Sequence, residues 1–228
     1  MLRIKDLGFS YTENDIYRNF NIAFNKNSIN VVLGHNGAGK TTLLKLIGKL
    51  LQEKEGRISY AKEILKTGDI GDIFYLPEQN GCYTNLSVRE NIEFFKSISH
   101  KDGLEIDQAI NLFRLENKTN SIVDQLSQGL KKRVALANCT VYNASLLLLD
   151  EPTNGIDPET KDIIVDYVRK IKKTKTVILS THDLHFATEV ADHIYIIDNG
   201  QLVLNENFDN KNFDVLKEKY LQHTVERA

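Results

Sequence analysis

The sequence predicts an α/β fold: a core around a mostly parallel sheet, an antiparallel β region at the N-terminal end, and an inserted helical subdomain. Three observations carry this. Apolar runs of strand length alternate with helically spaced apolar residues on both sides of the middle of the chain. The first such strand meets its helix through a glycine-rich loop. Between about residues 83 and 140 the pattern is helical, with no convincing strand. No repeat, low-complexity tract or Pro/Gly/Ser-rich linker divides the 228 residues. The expectation is one domain, with its core in about 1–82 and 141–228 and the helical subdomain in about 83–140.

The N-terminal β region rests on alternation, first of Leu2 and Ile4, then of Leu7, Phe9 and Tyr11, then of Ile22 and Phe24. Ile29 to Leu33 is a short apolar run ending at Gly34, and Leu43, Leu44, Leu46, Ile47, Leu50 and Leu51 follow at helical spacing. A further β-like stretch covers Ile70 to Leu76. From Val88 to about Ala137, Ile92, Phe95, Ile106, Ile110 and Phe113 mark helices. Strand and helix then alternate: Leu146 to Leu149, a helix over about Pro158 to Ile171, Val177 to Leu179, and a helix near Leu184 to Val190. Ile194 to Ile197 and Leu202 to Leu204 flank Asp198-Asn199-Gly200, a hairpin turn because Asn and Gly both tolerate positive φ. The Phe94-Phe95 pair, Phe113 and the stripe Ile163, Ile164, Tyr167 and Val168 read as core, and the run Lys170 to Lys175 as a solvated helix end.

Charge and composition narrow the function. Lys+Arg 29 against Asp+Glu 31 leaves a net charge of −2, so no general positive field recruits nucleic acid. Apolar runs such as Leu146 to Leu149 fall far short of the roughly 20 residues of a membrane-spanning helix. The N-terminus is charged too early for a secretory signal, so a cytoplasmic location is expected. Cys82 and Cys139 lie far apart with no paired-ligand spacing, which points to neither a disulfide framework nor a zinc site.

Chemistry begins at Gly34, His35, Asn36, Gly37, Ala38, Gly39, Lys40 and Thr41, which match the phosphate-binding loop pattern, with Thr42 behind them. The glycines let the backbone curl so that its N–H groups point at phosphate oxygens, and the helix that follows adds its positive end. Lys40 is placed to neutralise the β- and γ-phosphates of a nucleotide, and the Thr41 hydroxyl to ligate Mg²⁺. Leu146 to Asp150, then Glu151 and Pro152, form an apolar strand ending in two carboxylates. Asp150 then stands at the carboxyl edge of the sheet, where it can hold Mg²⁺ through water, and Glu151 beside the γ-phosphate, where it can polarise an attacking water.

Two further segments are more specific. Leu126-Ser127-Gln128-Gly129-Leu130 resembles the signature segment of ABC-type ATPases, and Ser180-Thr181-His182-Asp183 is similar to that family's switch histidine. Thr153 to Pro158, including Asp157, is similar to its dimer-contact loop. The motifs occur in family order from Gly34 to Asp183, so the resemblance covers essentially the whole chain, on a P-loop NTPase core.

The resemblance implies two such subunits sandwiching two ATP molecules, as a homodimer or heterodimer. Ser127, Gln128 and Gly129 would face the ATP of the opposing subunit, although Ser127 also suits a plain helix N-cap. His182 would hold the γ-phosphate and the attacking water, and Tyr11 would stack on adenine, where packing explains a tyrosine equally well. The signature commonly reads Leu-Ser-Gly-Gly-Gln, so Gln128 and Leu130 are departures. The family's Mg²⁺-sensing glutamine aligns with Glu78, and Gln79 follows one position later; either side chain carries the required oxygen. Glu151 and His182 speak against a non-hydrolysing regulatory member.

The expected function is ATP hydrolysis powering a transporter, an exporter by its segments. A separate transmembrane permease subunit would dock on the 83–140 block, placing the chain peripherally on the inner face of the cell membrane. Little sequence remains after the last hairpin for a regulatory domain. The alternative is a soluble ABC-type ATPase driving a cytoplasmic assembly such as an iron–sulfur scaffold.

Overall fold

A computed structural model describes residues 1–61, 63–65, 72–79, 81–209 and 211–224. The N-terminal half opens with β1 (Leu2–Ser10), β2 (Asp15–Phe24), β3 (Ile29–Leu33), α1 (Lys40–Ile47), β4 (Glu55–Tyr60), β5 (Glu63–Ile64) and β6 (Ile73–Leu76). The helical block holds α2 (Val88–Ser97), α3 (Ile106–Leu112) and α4 (Gln128–Tyr142), with 3₁₀ turns at Glu116–Lys118 and Val123–Gln125. Then follow β7 (Leu146–Asp150), α5 (Pro158–Ile171), β8 (Thr176–Thr181), α6 (Leu184–Val190), β9 (His193–Asp198), β10 (Gln201–Asn207) and α7 (Phe213–Thr224).

Six strands form one sheet in the order β10-β9-β3-β8-β7-β6, and four form a second in the order β2-β1-β4-β5. In the first, β3 runs parallel to β8 and β9, β7 to β6 and β8, and only β10 is antiparallel, paired with β9 across the expected hairpin. Asn199 and Gly200 there have φ of 44° and 72°, the conformation a tight two-residue turn requires. The second sheet is antiparallel throughout. Each parallel strand is apolar on both faces because both are covered. Val31, Leu33, Leu147 and Leu149 pack into one core with α4, α5 and α6. Val32, Leu146 and Leu148 pack into another with α1 and the antiparallel sheet.

The alternation in β1 changes phase between Ile4 and Leu7, where the register with both neighbouring strands shifts and Asp6 takes φ 53°. The bulge restores an inward side chain at Leu7 and Phe9, so both halves of the strand stay buried. Helix ends follow local chemistry. Ser87 and Glu90 form a capping box at α2, and Asp157 caps α5 ahead of Pro158.

Several expectations need correction. The helix after the glycine loop ends at Ile47, not Leu51. Phe94 is exposed, edge-on to exposed Tyr83 at 4.8 Å, and only Phe95 packs toward the core. Lys172 and Lys175 are not free solvated ends: their ammonium groups donate to Asp192 Oδ1 and Asn143 Oδ1, each at 2.6 Å. Strands β4 and β5 and helix α7 were not anticipated, and Ile70 lies outside the described residues.

Candidate active site

The parallel strands β3, β6, β7 and β8 end on one edge of the sheet, and each hands the chain to part of a single cleft of about 540 Å³. After β3 come Asn36, Gly37, Gly39, Lys40, Thr41 and Thr42; after β6, Glu78; after β7, Glu151 and Asn154; after β8, His182.

The glycine loop is held by its neighbours. Gly39 has φ 107°, and a Cβ on it would come within 2.7 Å of the Tyr17 oxygen. That buried hydroxyl donates to the Gly39 carbonyl at 2.9 Å, which leaves no room for any other residue. Ala38 N–H donates to the His35 carbonyl at 3.2 Å, and His35 Nε2 lies 3.1 Å from Asp198 Oδ1, tying the loop to β9. Lys40 starts α1 and is buried. Its ammonium donates to the Gly34 carbonyl at 2.8 Å and the His35 carbonyl at 3.2 Å, and stands 3.3 Å from Glu151 Oε1. The lysine thus neutralises a buried carboxylate and two carbonyl dipoles.

Asp150 accepts three hydroxyls: Thr41 Oγ1 at 3.0 Å and Ser180 Oγ at 2.6 Å on Oδ1, and Tyr75 at 3.1 Å on Oδ2. Burial, with the Asp150 charge added, pushes the Tyr75 phenol well above its ordinary pKa, so it remains a donor. Glu151 is buried with φ 42°, a left-handed backbone uncommon for a glutamate, pinned by its N–H donating to Ser180 Oγ at 3.0 Å. Glu151 Oε2 lies 3.0 Å from His182 Nδ1; a carboxylate can only accept, so Nδ1 carries the proton. One carboxylate therefore links the loop lysine to the histidine.

Glu78, not Gln79, borders this cleft, and Asn154 Nδ2 donates to Glu78 Oε1 at 2.6 Å. Gln79 lines a neighbouring cavity of about 340 Å³ together with Gln128 and Lys132. Tyr11 stands at the margin: it is 56% exposed, its ring is edge-on to Phe9 at 5.0 Å, and its hydroxyl is 3.4 Å from Thr42 Oγ1. Ile16, which the sequence did not single out, lines the cleft instead.

Ser127, Gln128 and Gly129 do not line it. Ser127 caps α4, accepting from the Leu130 N–H at 3.4 Å. A Cβ on Gly129 would sit 2.3 Å from Asp157 Oδ2, so Gly129 packs against the cap of α5. Tyr75, Ser180 and Asn154 were missed as site residues. Ser180 and Asn154 lie inside the motifs, but their partners follow only from the pairing of β7 with β8 for Ser180 and of β6 with β7 for Asn154.

A glycine loop ending in Lys40-Thr41, facing a strand-end Asp-Glu pair, defines a nucleoside triphosphatase of the phosphate-loop class. Residues 17–154, more than half of the chain, match the ABC transporter family, and the chain belongs to that family as an ATP-binding ATPase. Its relatives include an uncharacterized ABC transporter ATP-binding protein, YxlF, of Bacillus subtilis, 32% identical over 206 residues covering 89% of this chain and 69% of that one. The lantibiotic transport ATP-binding protein SrtF of Streptococcus pyogenes is 30% identical over 92% of both chains. The methionine import ATP-binding protein MetN 3 of Bacillus cereus is 33% identical over 81% of this chain and 58% of its own length. Among solved structures, an ATP-binding cassette dimer bound to ADP and Pi superposes with a TM-score of 0.82 at 24% identity, over 92% of this chain and all of that one.

Proposed function

We propose that this chain is the ATP-hydrolysing subunit of an exporter, working as a dimer on a separate membrane-spanning permease at the inner face of the cell membrane. The observation that carries the reading is the convergence of Lys40, Thr41, Asp150, Glu151, His182 and Glu78 on one cleft. Lys40 leaves the Gly34 and His35 carbonyls for the β- and γ-phosphates, which releases Glu151 from the ion pair. Glu151 then accepts a proton from the attacking water, and His182, already oriented by Glu151, steadies the γ-phosphate. Ser127, Gln128 and Gly129 serve the ATP of the opposing subunit, and Tyr11 stacks on the base.

Among the described residues no three His, Cys, Asp or Glu side chains are grouped to hold a metal by themselves. The Thr41 hydroxyl and Asp150 carboxylate, with Glu78 in the same cleft, nevertheless form an all-oxygen set suited to Mg²⁺, which typically takes one or two carboxylates and completes its shell with phosphates and water. That ion would supply charge neutralisation between the β- and γ-phosphates.

Among the described residues no helix is long and apolar enough to cross a membrane, and the membrane-spanning part is assigned to a partner chain. Exposed Tyr83, Phe94 and Ile98 on the 83–140 block, with Phe94 and Ile98 one turn apart, offer the permease an apolar surface. Export is favoured because Leu126–Gly129 and Thr153–Pro158 resemble exporter-type segments. Purification of a tagged copy from membranes tests this. A co-purifying polytopic protein is the expected result; recovery from the soluble fraction without one would contradict it.

A further inference from the structure

Lys132 is a charged side chain in an unusual place. It lies on α4, the helix capped by Ser127, yet it is buried, 8% exposed, and lines the cavity beside the cleft. Its ammonium donates to the Glu78 carbonyl at 2.8 Å and to the Pro77 carbonyl at 3.3 Å. Burial draws its pKa below the ordinary lysine value, and the Glu78 and Asp150 charges oppose that fall. A buried ammonium held mainly on two carbonyls is costly unless the arrangement serves something. What it holds is the turn bearing Glu78, whose side chain is gripped from the other side by Asn154. Glu78 is therefore fixed by two elements at once: α4 through its carbonyl and the loop after Glu151 through its carboxylate. It is also a negative charge in a cleft built for a triphosphate, and Lys132 is a compensating positive charge behind it.

We infer that Lys132 is a positioning residue that sets Glu78 for the nucleotide-bound metal by clamping the Pro77 and Glu78 carbonyls to α4. The inference rests on the reading of Glu78 as the metal-side residue. It adds a direct mechanical link between the segment starting at Ser127 and the cleft of the same subunit.

The test compares Lys132→Met, which keeps most of the apolar stem and removes the ammonium, with Glu78→Ala and the double variant. Mg²⁺ is titrated calorimetrically into each protein loaded with a non-hydrolysable ATP analogue, and the analogue's affinity is measured separately in EDTA. Loss of an outer-shell partner commonly weakens metal affinity about 10- to 100-fold. Lys132→Met is expected to weaken Mg²⁺ at least about tenfold, leave the EDTA affinity within about twofold, and add nothing to the loss caused by Glu78→Ala. Unchanged Mg²⁺ affinity in Lys132→Met beside a loss in Glu78→Ala overturns the clamp while sparing the role of Glu78. No loss in Glu78→Ala overturns that role, and the clamp with it. If Lys132→Met does not fold, Lys132→Leu, which fills part of the same space and has no donor, carries the same measurement: weakened Mg²⁺ supports the clamp and unchanged Mg²⁺ overturns it.

Discussion

Replacing Gly129 by alanine sets two local effects against each other, and the structure decides between them. Alanine is the better helix former by about 1 kcal/mol in a helix interior, so propensity alone predicts stabilisation at the start of α4. The new methyl would meet Asp157 Oδ2 at 2.3 Å and Thr160 Oγ1 at 2.9 Å. Asp157 is exposed and can swing away, but in doing so it gives up the Thr160 N–H and hydroxyl bonds, each 2.9 Å, by which it caps α5. Loss of a cap costs about 0.5–2 kcal/mol and the second bond about 0.5–1.5 kcal/mol. The net expectation is a loss of up to about 2.5 kcal/mol, which lowers Tm by up to about 10 °C for a domain of this size. Thermal denaturation of Gly129→Ala, Asp157→Ala and the double variant checks it. With Asp157 already truncated only the Thr160 Oγ1 contact at 2.9 Å remains, so Gly129→Ala should cost less in that background than in the wild type. An equal loss in both backgrounds would refute the coupling between the start of α4 and the cap of α5.

Three further outcomes are expected. Lys40→Ala should lower ATP turnover at least about 10²-fold, since it removes a preorganised charge from the transferring phosphate, and nucleotide binding should weaken alongside. Tyr11→Ala should weaken ATP by about 1–3 kcal/mol and inorganic triphosphate little, because stacking on the base carries that much; equal losses by calorimetry would remove Tyr11 from the site. Acid should expose the Asp157 cap. Its carboxyl is held below the usual carboxylate range by the Thr160 backbone bond and then the Thr160 hydroxyl. A depressed folded-state pKa stabilises above the unfolded value and is lost as pH falls, so the stability difference between wild type and Asp157→Asn should be flat above about pH 5 and shrink below about pH 4.

The parts of the fold and site that are local in sequence were legible. The strand from Ile29 to Leu33, the glycine loop, α5, α6 and the Asn-Gly hairpin follow from periodicity, glycines and caps acting within a few residues. What was hidden depends on distant pairing. The 55–60 strand has the mixed pattern Glu-Gly-Arg-Ile-Ser-Tyr, and only Ile58 is fully buried, because it lies in the second sheet with one covered face. Phe94 looked like core because an aromatic at helical spacing does not reveal whether a neighbour covers it; Tyr83 does so only edge-on, and both remain exposed. The site follows the same division. Lys40, Thr41, Asp150 and Glu151 stand inside their own motifs. The Ser180 and Tyr75 bonds to Asp150, the fold-back of Lys40 onto Glu151 and the Lys132 contact exist only because β3, β6, β7 and β8 end side by side.

Whether Glu151 drives cleavage is tested most directly by ATP turnover in Glu151→Gln, with bound nucleotide quantified in the same sample. The substitution keeps the shape of the side chain and its reach to His182, 3.0 Å away, but removes its capacity to take a proton. Turnover should fall by about 10²- to 10⁴-fold while ATP stays bound and uncleaved. Turnover at the wild-type rate with ATP bound would show that Glu151 is not the base.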